Sequence, residues 1–128
     1  RVALLLEGKA EARLEGVEVR AGAEAALRAS GPVRLEVVGG VLGPSGHAGL
    51  LLEEDGGSYR LEGVALRDNP TAGVVVLGKA RGSLEGVTAE GGRYALLLVG
   101  EETPAPSLGA GNRFLTRKVV ERISEGRR

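Results

Sequence analysis

The sequence predicts an all-β fold: a right-handed parallel β-helix of about five coils, ~23 residues per coil, closed by a short C-terminal helix. Three observations carry this reading. Two unlike residue blocks recur with one shared period, turn residues separate short apolar bursts, and the last segment breaks the pattern.

The first block is a small residue followed by three mostly apolar ones. It reads Ala3-Leu4-Leu5-Leu6, Ala26-Leu27-Arg28-Ala29, Gly49-Leu50-Leu51-Leu52, Gly73-Val74-Val75-Val76 and Ala95-Leu96-Leu97-Leu98, with steps of 23, 23, 24 and 22 residues. The second reads Leu14-Glu15-Gly16-Val17, Val38-Gly39-Gly40-Val41, Leu61-Glu62-Gly63-Val64 and Leu84-Glu85-Gly86-Val87, in steps of 24, 23 and 23, with a looser fifth copy at Leu108-Gly109-Ala110-Gly111. Helical repeats need about 33 residues or more to make two helices. Leucine-rich repeats have the right length but carry an asparagine ladder that these blocks lack. Hexapeptide steps of a left-handed β-helix fit 23 residues poorly.

Each strand is expected to pair with its copy one coil on, about 4.8 Å away, giving a rod roughly 24 Å long. Side chains alternate across a strand. The first block therefore stacks Leu4, Leu27, Leu50, Val74 and Leu96 in one inward column and Leu6, Ala29, Leu52, Val76 and Leu98 in another. The opposite choice would bury Arg28 without a partner, which is costly. For the second block the expected inward columns are Leu14, Val38, Leu61, Leu84 and Val17, Val41, Val64, Val87, extended by Val19, Leu66 and Ala89. Gly16, Gly63 and Gly86 mark a bend where the coil turns a corner. Pro44-Ser45-Gly46, Asp55-Gly56-Gly57, Asp68-Asn69-Pro70 and Glu90-Gly91-Gly92 are turn sequences, and 101–106 is expected to protrude as a loop.

The solenoid is assigned to residues 1–114, and residues 115–128 to a capping helix with a basic tail. Leu115, Val119 and Ile123 lie four apart, Thr116 suits an N-cap and Gly126 a stop. Such a helix would cover the open coil end. The chain enters an apolar run directly after Arg1, which reads as a trimmed piece, so localisation is not legible.

The blocks resemble the repeats of right-handed parallel β-helix proteins of the pectate-lyase-like class, including NosD-type repeats, over roughly residues 2–114. The resemblance implies the fold, with polysaccharide binding or cleavage in some members and structural roles in others. The hydrolases of that class use clustered aspartates, whereas this chain has only Asp55 and Asp68. The acidic calcium cluster of the lyases has no counterpart. The resemblance therefore carries over the fold and no catalytic residue.

Composition narrows function further. Lys+Arg and Asp+Glu are both 17, so no global field draws nucleic acid or an anionic membrane. Tyr59, Tyr94 and Phe114 are the only rings, too few for base- or sugar-stacking platforms. Cysteine is absent, and no apolar run reaches the ~20 residues that span a bilayer. The absence of Met, Trp, Cys and Gln with abundant charge fits a thermophile; a GC-rich genome gives the same bias.

Several groups are weighed as sites. Glu53, Glu54, Asp55, Glu101 and Glu102 could hold a hard cation, but Lys79 and Arg81 lie in the coil between, and solvated turns are the simpler reading. Glu15, Glu62 and Glu85 form an outward column, read as a surface ladder relieved by Arg13, Arg60 or Arg81. His47 is a lone histidine in a turn. Arg113, Arg117, Lys118, Arg122, Arg127 and Arg128 against Glu121 and Glu125 leave the tail at +4 and the rest at −4, either to complement a helix dipole or to dock on an acidic partner. The outward Leu5, Leu51, Val75 and Leu97 form an apolar stripe interrupted only by Arg28, which points to a contact face.

The expected function is accordingly a non-enzymatic scaffold or interaction module that self-associates, or packs on a neighbouring domain, through this face. The alternatives are a carbohydrate-binding or vestigial carbohydrate-active β-helix, or a fragment of a larger polysaccharide-processing protein. No cofactor is implied.

Overall fold

The computed structural model describes residues 2–53 and 57–124, and builds each coil from three strands. The first coil is β1 (Val2–Glu7), β2 (Glu11–Glu15) and β3 (Glu18–Val19); the second is β4 (Ala25–Ser30), β5 (Arg34–Val38) and β6 (Val41–Leu42). The third is β7 (Ala48–Glu53), β8 (Ser58–Glu62) and β9 (Ala65–Arg67), and the fourth is β10 (Ala72–Leu77), β11 (Arg81–Glu85) and β12 (Thr88–Glu90). The fifth is β13 (Tyr94–Val99), β14 (Ser107–Leu108) and β15 (Arg113–Leu115), after which β16 (Lys118–Ile123) begins a sixth turn. Every strand pairs in parallel with its counterparts in adjacent coils, giving three sheets: sheet A (β1-β4-β7-β10-β13-β16), sheet B (β2-β5-β8-β11-β14) and sheet C (β3-β6-β9-β12-β15).

Sheet A stacks as the first block predicts. Leu4, Leu27, Leu50, Val74 and Leu96 are successive register partners, as are Leu6, Ala29, Leu52, Val76 and Leu98. Leu27, Leu50 and Val74 are fully buried in one continuous interior cluster. The small first residue of the block has a geometric cause. Ala26 and Leu27 both pack into that interior, while Ala25 packs on the outside, so the strand bends at this position. A Cβ on Gly49 would lie 2.9 Å from both Asn69 Nδ2 and the Gly73 carbonyl, and one on Gly73 would lie 2.9 Å from Leu66 Cδ1.

Sheet B departs from the expected register in the second coil. Leu14 stacks on Val37, not Val38, and Val37 continues to Leu61 and Leu84. Val38 falls instead in the outward column with Glu15 and Glu62. The slip propagates through the corner: the Ala65 amide bonds the Gly40 carbonyl as Val41 bonds Val17, placing Gly40, not Val41, in the Val17–Val64–Val87 column. Gly40 is close-packed there, a Cβ meeting the Val17 carbonyl at 2.1 Å. A one-residue shift moves a strand's side chains to the opposite face, and the run Val37-Val38 offered an apolar residue in either register. With the register corrected, Val19, Leu42, Leu66, Ala89 and Phe114 form one column, of which Val19, Leu66 and Ala89 were expected.

The expected capping helix is a strand. Among the described residues none is helical, and β16 pairs with β13 in register, Leu96 on Val120 and Val99 on Ile123. Thr116 Oγ1 donates to the Lys118 carbonyl at 2.9 Å instead of capping a helix. The unpaired edge of β13 offers main-chain hydrogen bonds, and Val119, Val120 and Ile123 are β-branched, which favours a strand. Gly126 and the basic residues Arg127 and Arg128 lie outside the described residues.

Leu50→Ala is expected to cost about 2–5 kcal/mol, because the site is fully buried with a rung on each side. Leu5→Ala, at the end of an outward column, should cost well under half as much. Urea titration with matched m-values checks the contrast.

Candidate interaction surfaces

Sheet A carries a second apolar cluster on its outer face. Leu5, Arg28, Leu51, Val75 and Leu97 form the outward column the sequence predicts, and Leu51, Val75 and Leu97 pack with Ala25, Ala48, Ala72 and Val99. Leu51, Val75 and Leu97 are only 5%, 3% and 7% exposed, while Leu5 at the end of the column is 43% exposed. Arg28 interrupts the column and is held over its edge by Glu53 (Nε to Oε1, 2.8 Å) and Glu24 (3.6 Å).

The exposed large apolar side chains collect elsewhere. Among the described residues, besides Leu5 in the first coil, they are Leu108, Leu115, Val119, Val120 and Ile123, all in the last two strands of the fifth coil or in β16. Val120 tops the interior column of Leu96 but has no rung beyond it among the described residues. One device partly closes this end. Asn112 takes the position above Val87, donates from Nδ2 to the Leu84 carbonyl (3.0 Å) and accepts the Val87 amide on Oδ1 (2.9 Å). Asn69 does similar work in a turn, donating to the Leu42 carbonyl (3.1 Å) and accepting from Ser45 Oγ (2.7 Å). Both asparagines of the chain are thus turn fasteners, a role that their composition count did not reveal.

Sheet B presents a charged outer face. One column runs Glu11, Arg34, Ser58, Arg81 and the next runs Arg13, Glu36, Arg60, Ser83, Ser107. The third is Glu15, Val38, Glu62, Glu85, so only Glu62 and Glu85 are adjacent carboxylates. Arg13 bridges Glu15 (2.6 Å) and Glu36 (2.7 Å), and Arg60 bridges Glu36 (3.0 Å) and Glu62 (3.1 Å). The hydrogen bond to Glu15, then that to Glu36, raises the Arg13 pKa further above its ordinary value. The ladder is relieved by Arg13 and Arg60 but not by Arg81, which has no ion-pair partner among the described residues.

No family model, curated protein or solved structure matches the chain.

The remaining candidates disperse. Glu53 is paired with Arg28, Glu101 and Glu102 are exposed, and Glu54 and Asp55 lie outside the described residues. Among the described residues no three His, Asp or Glu side chains converge as metal ligands do. His47 Nδ1 sits 2.7 Å from Thr71 Oγ1 in the adjacent turn, with the Thr71 amide also on the His47 carbonyl. In the tail, Lys118 pairs with Glu121 (2.6 Å), which raises the Lys118 pKa, and Arg122 donates to the Gly100 carbonyl (2.7 Å). Two of the three rings, Tyr59 and Phe114, are packed in or against the interior; Tyr94 lies with the outer cluster of sheet A.

Tyr59 is the one buried side chain with an unmet polar atom among the described residues. Its ring fills the space left by Gly82 in the next coil, where a Cβ would fall 2.2 Å from the ring. Burial pushes its phenol well above the ordinary tyrosine value. Since the unfolded phenol ionises first, this group leaves stability independent of pH below about pH 10 and lowers it as pH climbs above that, while its unpartnered burial is a cost at every pH. Tyr59→Phe should therefore stabilise the protein by up to ~1 kcal/mol at neutral pH and flatten the alkaline loss of stability, measured by urea titration across that range. Gly82→Ala should destabilise by more than about 2 kcal/mol, and Tyr59→Leu should relieve most of that cost in a double-mutant cycle.

Proposed function

We propose that this chain is a non-enzymatic scaffold module whose outer coils stack on further β-coils, supplied by another copy or by the same chain. The observation that carries the reading is that the exposed large apolar side chains among the described residues gather on the first and the last of the described turns. Contiguous exposed apolar surface on a protein commonly marks a contact, and here it coincides with strand edges that have hydrogen-bonding groups to offer. The sheet A face contributes to the same reading at its open end, through Leu5, more than at its middle, where Leu51, Val75 and Leu97 are nearly buried. Contact between the first coil of one copy and β16 of the next is heterologous and can propagate into a linear assembly.

We infer that the coils wind right-handed, since strand–crossover–strand connections in parallel sheets do so in about 98% of cases. The likeness to pectate-lyase-like and NosD-type repeats is supported by coil length and column stacking, and extends to architecture alone.

Sedimentation velocity over a wide concentration range is expected to show self-association that Val120→Arg combined with Ile123→Lys weakens at least tenfold, and that Leu5→Lys weakens from the opposite end. Thermal unfolding of each variant confirms that its fold is intact. A folded wild-type protein that stays monomeric at millimolar concentration rejects the proposal.

A further inference from the structure

The ion pairs on sheet B leave Arg81 without a carboxylate partner among the described residues and hold Arg34 only loosely. Moving along the first outward column from coil one to coil four, the residues are Glu11, Arg34, Ser58 and Arg81. Arg34 reaches Glu11 only at 3.5 Å, with both side chains about three-quarters exposed (73% and 77%), a geometry worth little in water. Arg81 has Ser58 on one side and Ser83 two residues along its own strand, and no carboxylate partner among the described residues. Arg60 stands two residues from Ser58 on β8, and its acidic partners, Glu36 and Glu62, flank it on the side away from Arg81 in rung order or farther along the strand.

Ser58 is therefore bracketed by three guanidinium-bearing positions. Adjacent rungs lie about 4.8 Å apart and alternate residues along a strand about 6.7 Å apart, so Arg34 and Arg81 are roughly 9.6 Å apart at the backbone with Ser58 midway. That span admits one oxyanion over Ser58, met by Arg81 and by Arg34 once the latter leaves Glu11. The Ser58 and Ser83 hydroxyls make no hydrogen bond to other described residues, leaving both free to donate. These residues line an open groove of about 770 Å³ on the sheet face, where Arg13 adds a fourth cation and Glu11 and Glu36 are the two carboxylates.

We propose that Arg34, Arg60 and Arg81, with Ser58 and Ser83, form a binding site for a tetrahedral oxyanion, phosphate or sulfate, free or as a monoester. Arginine suits this role because its planar fork meets two oxygens of one anion at once. The strand scaffold fixes the spacing of the three arginines before the anion arrives. Self-association at the coil ends plays no part in the site, and the two proposals fail independently.

The test is titration of the full chain with inorganic phosphate, inorganic sulfate and their monomethyl esters, followed by backbone amide shifts of Ser58, Arg60, Arg81 and Ser83 against a sodium chloride control of equal ionic strength. Saturable shifts with a dissociation constant of roughly millimolar order are expected. Arg81→Ala and Arg34→Ala should each weaken binding about tenfold, and Lys79→Ala, which alters a cation outside the groove, should leave it unchanged. Esters binding as well as the free ions assign the site to an esterified ligand; binding of the inorganic ions alone assigns it to a free ion, and either result supports the site. Shifts that never saturate, or that Lys79→Ala reduces as much as Arg81→Ala, overturn it.

Discussion

The structure depends on one constraint: each side chain must fit the same position of the coils above and below it, about 4.8 Å away. In a globular core a residue answers to a scattered set of neighbours. Here it answers first to its own column. Through coils one to five the interior columns of sheet A are filled by Leu, Val and Ala alone.

Where a column departs from aliphatic residues, its neighbours compensate. The ring of Tyr59 requires Gly82 in the next coil. The bend at the start of each sheet A strand holds Ala or Gly through coils one to five, and at Gly49 and Gly73 backbone and side-chain atoms of adjacent turns already occupy the space of a Cβ. Asn112 replaces valine at the last full rung and turns its amide onto backbone groups that the rung below leaves open. Each of these is a local exception made tolerable by a single complementary residue one coil away.

The same stacking organises the charges. Outward columns on sheet B bring arginine and glutamate onto adjacent rungs, and the resulting ladder of ion pairs is exposed and individually weak. Its consequence is less stability than surface pattern: after Glu11 the first column continues as arginine, serine and arginine, and Arg81 has no acidic partner among the described residues. Apolar exposure is patterned in the same way. Middle rungs shelter one another, so the large apolar side chains left exposed among the described residues lie on the first and last turns described.

Read alone, the sequence determined the coil length, the parallel stacking and the sheet A columns, because a 23-residue rhythm of apolar blocks leaves a stack as the only way to bury them. It determined less wherever two residues competed for one position. Val37 and Val38 are equally apolar, and only the pairing of β5 with β2 and β8 decided which faces inward. Val120 follows Leu96 by 24 residues, in step with the period, but Glu121 and Arg122 disguised the block, and the helical spacing of Leu115, Val119 and Ile123 competed with it. The open edge of β13 settled that choice in favour of a strand. The arginine arc around Ser58 was equally hidden, since its members are 24, 2 and 23 residues from Ser58 and meet only across rungs. Periodicity is a property of the chain, whereas register and edge pairing exist only once neighbouring coils supply the hydrogen bonds that define them.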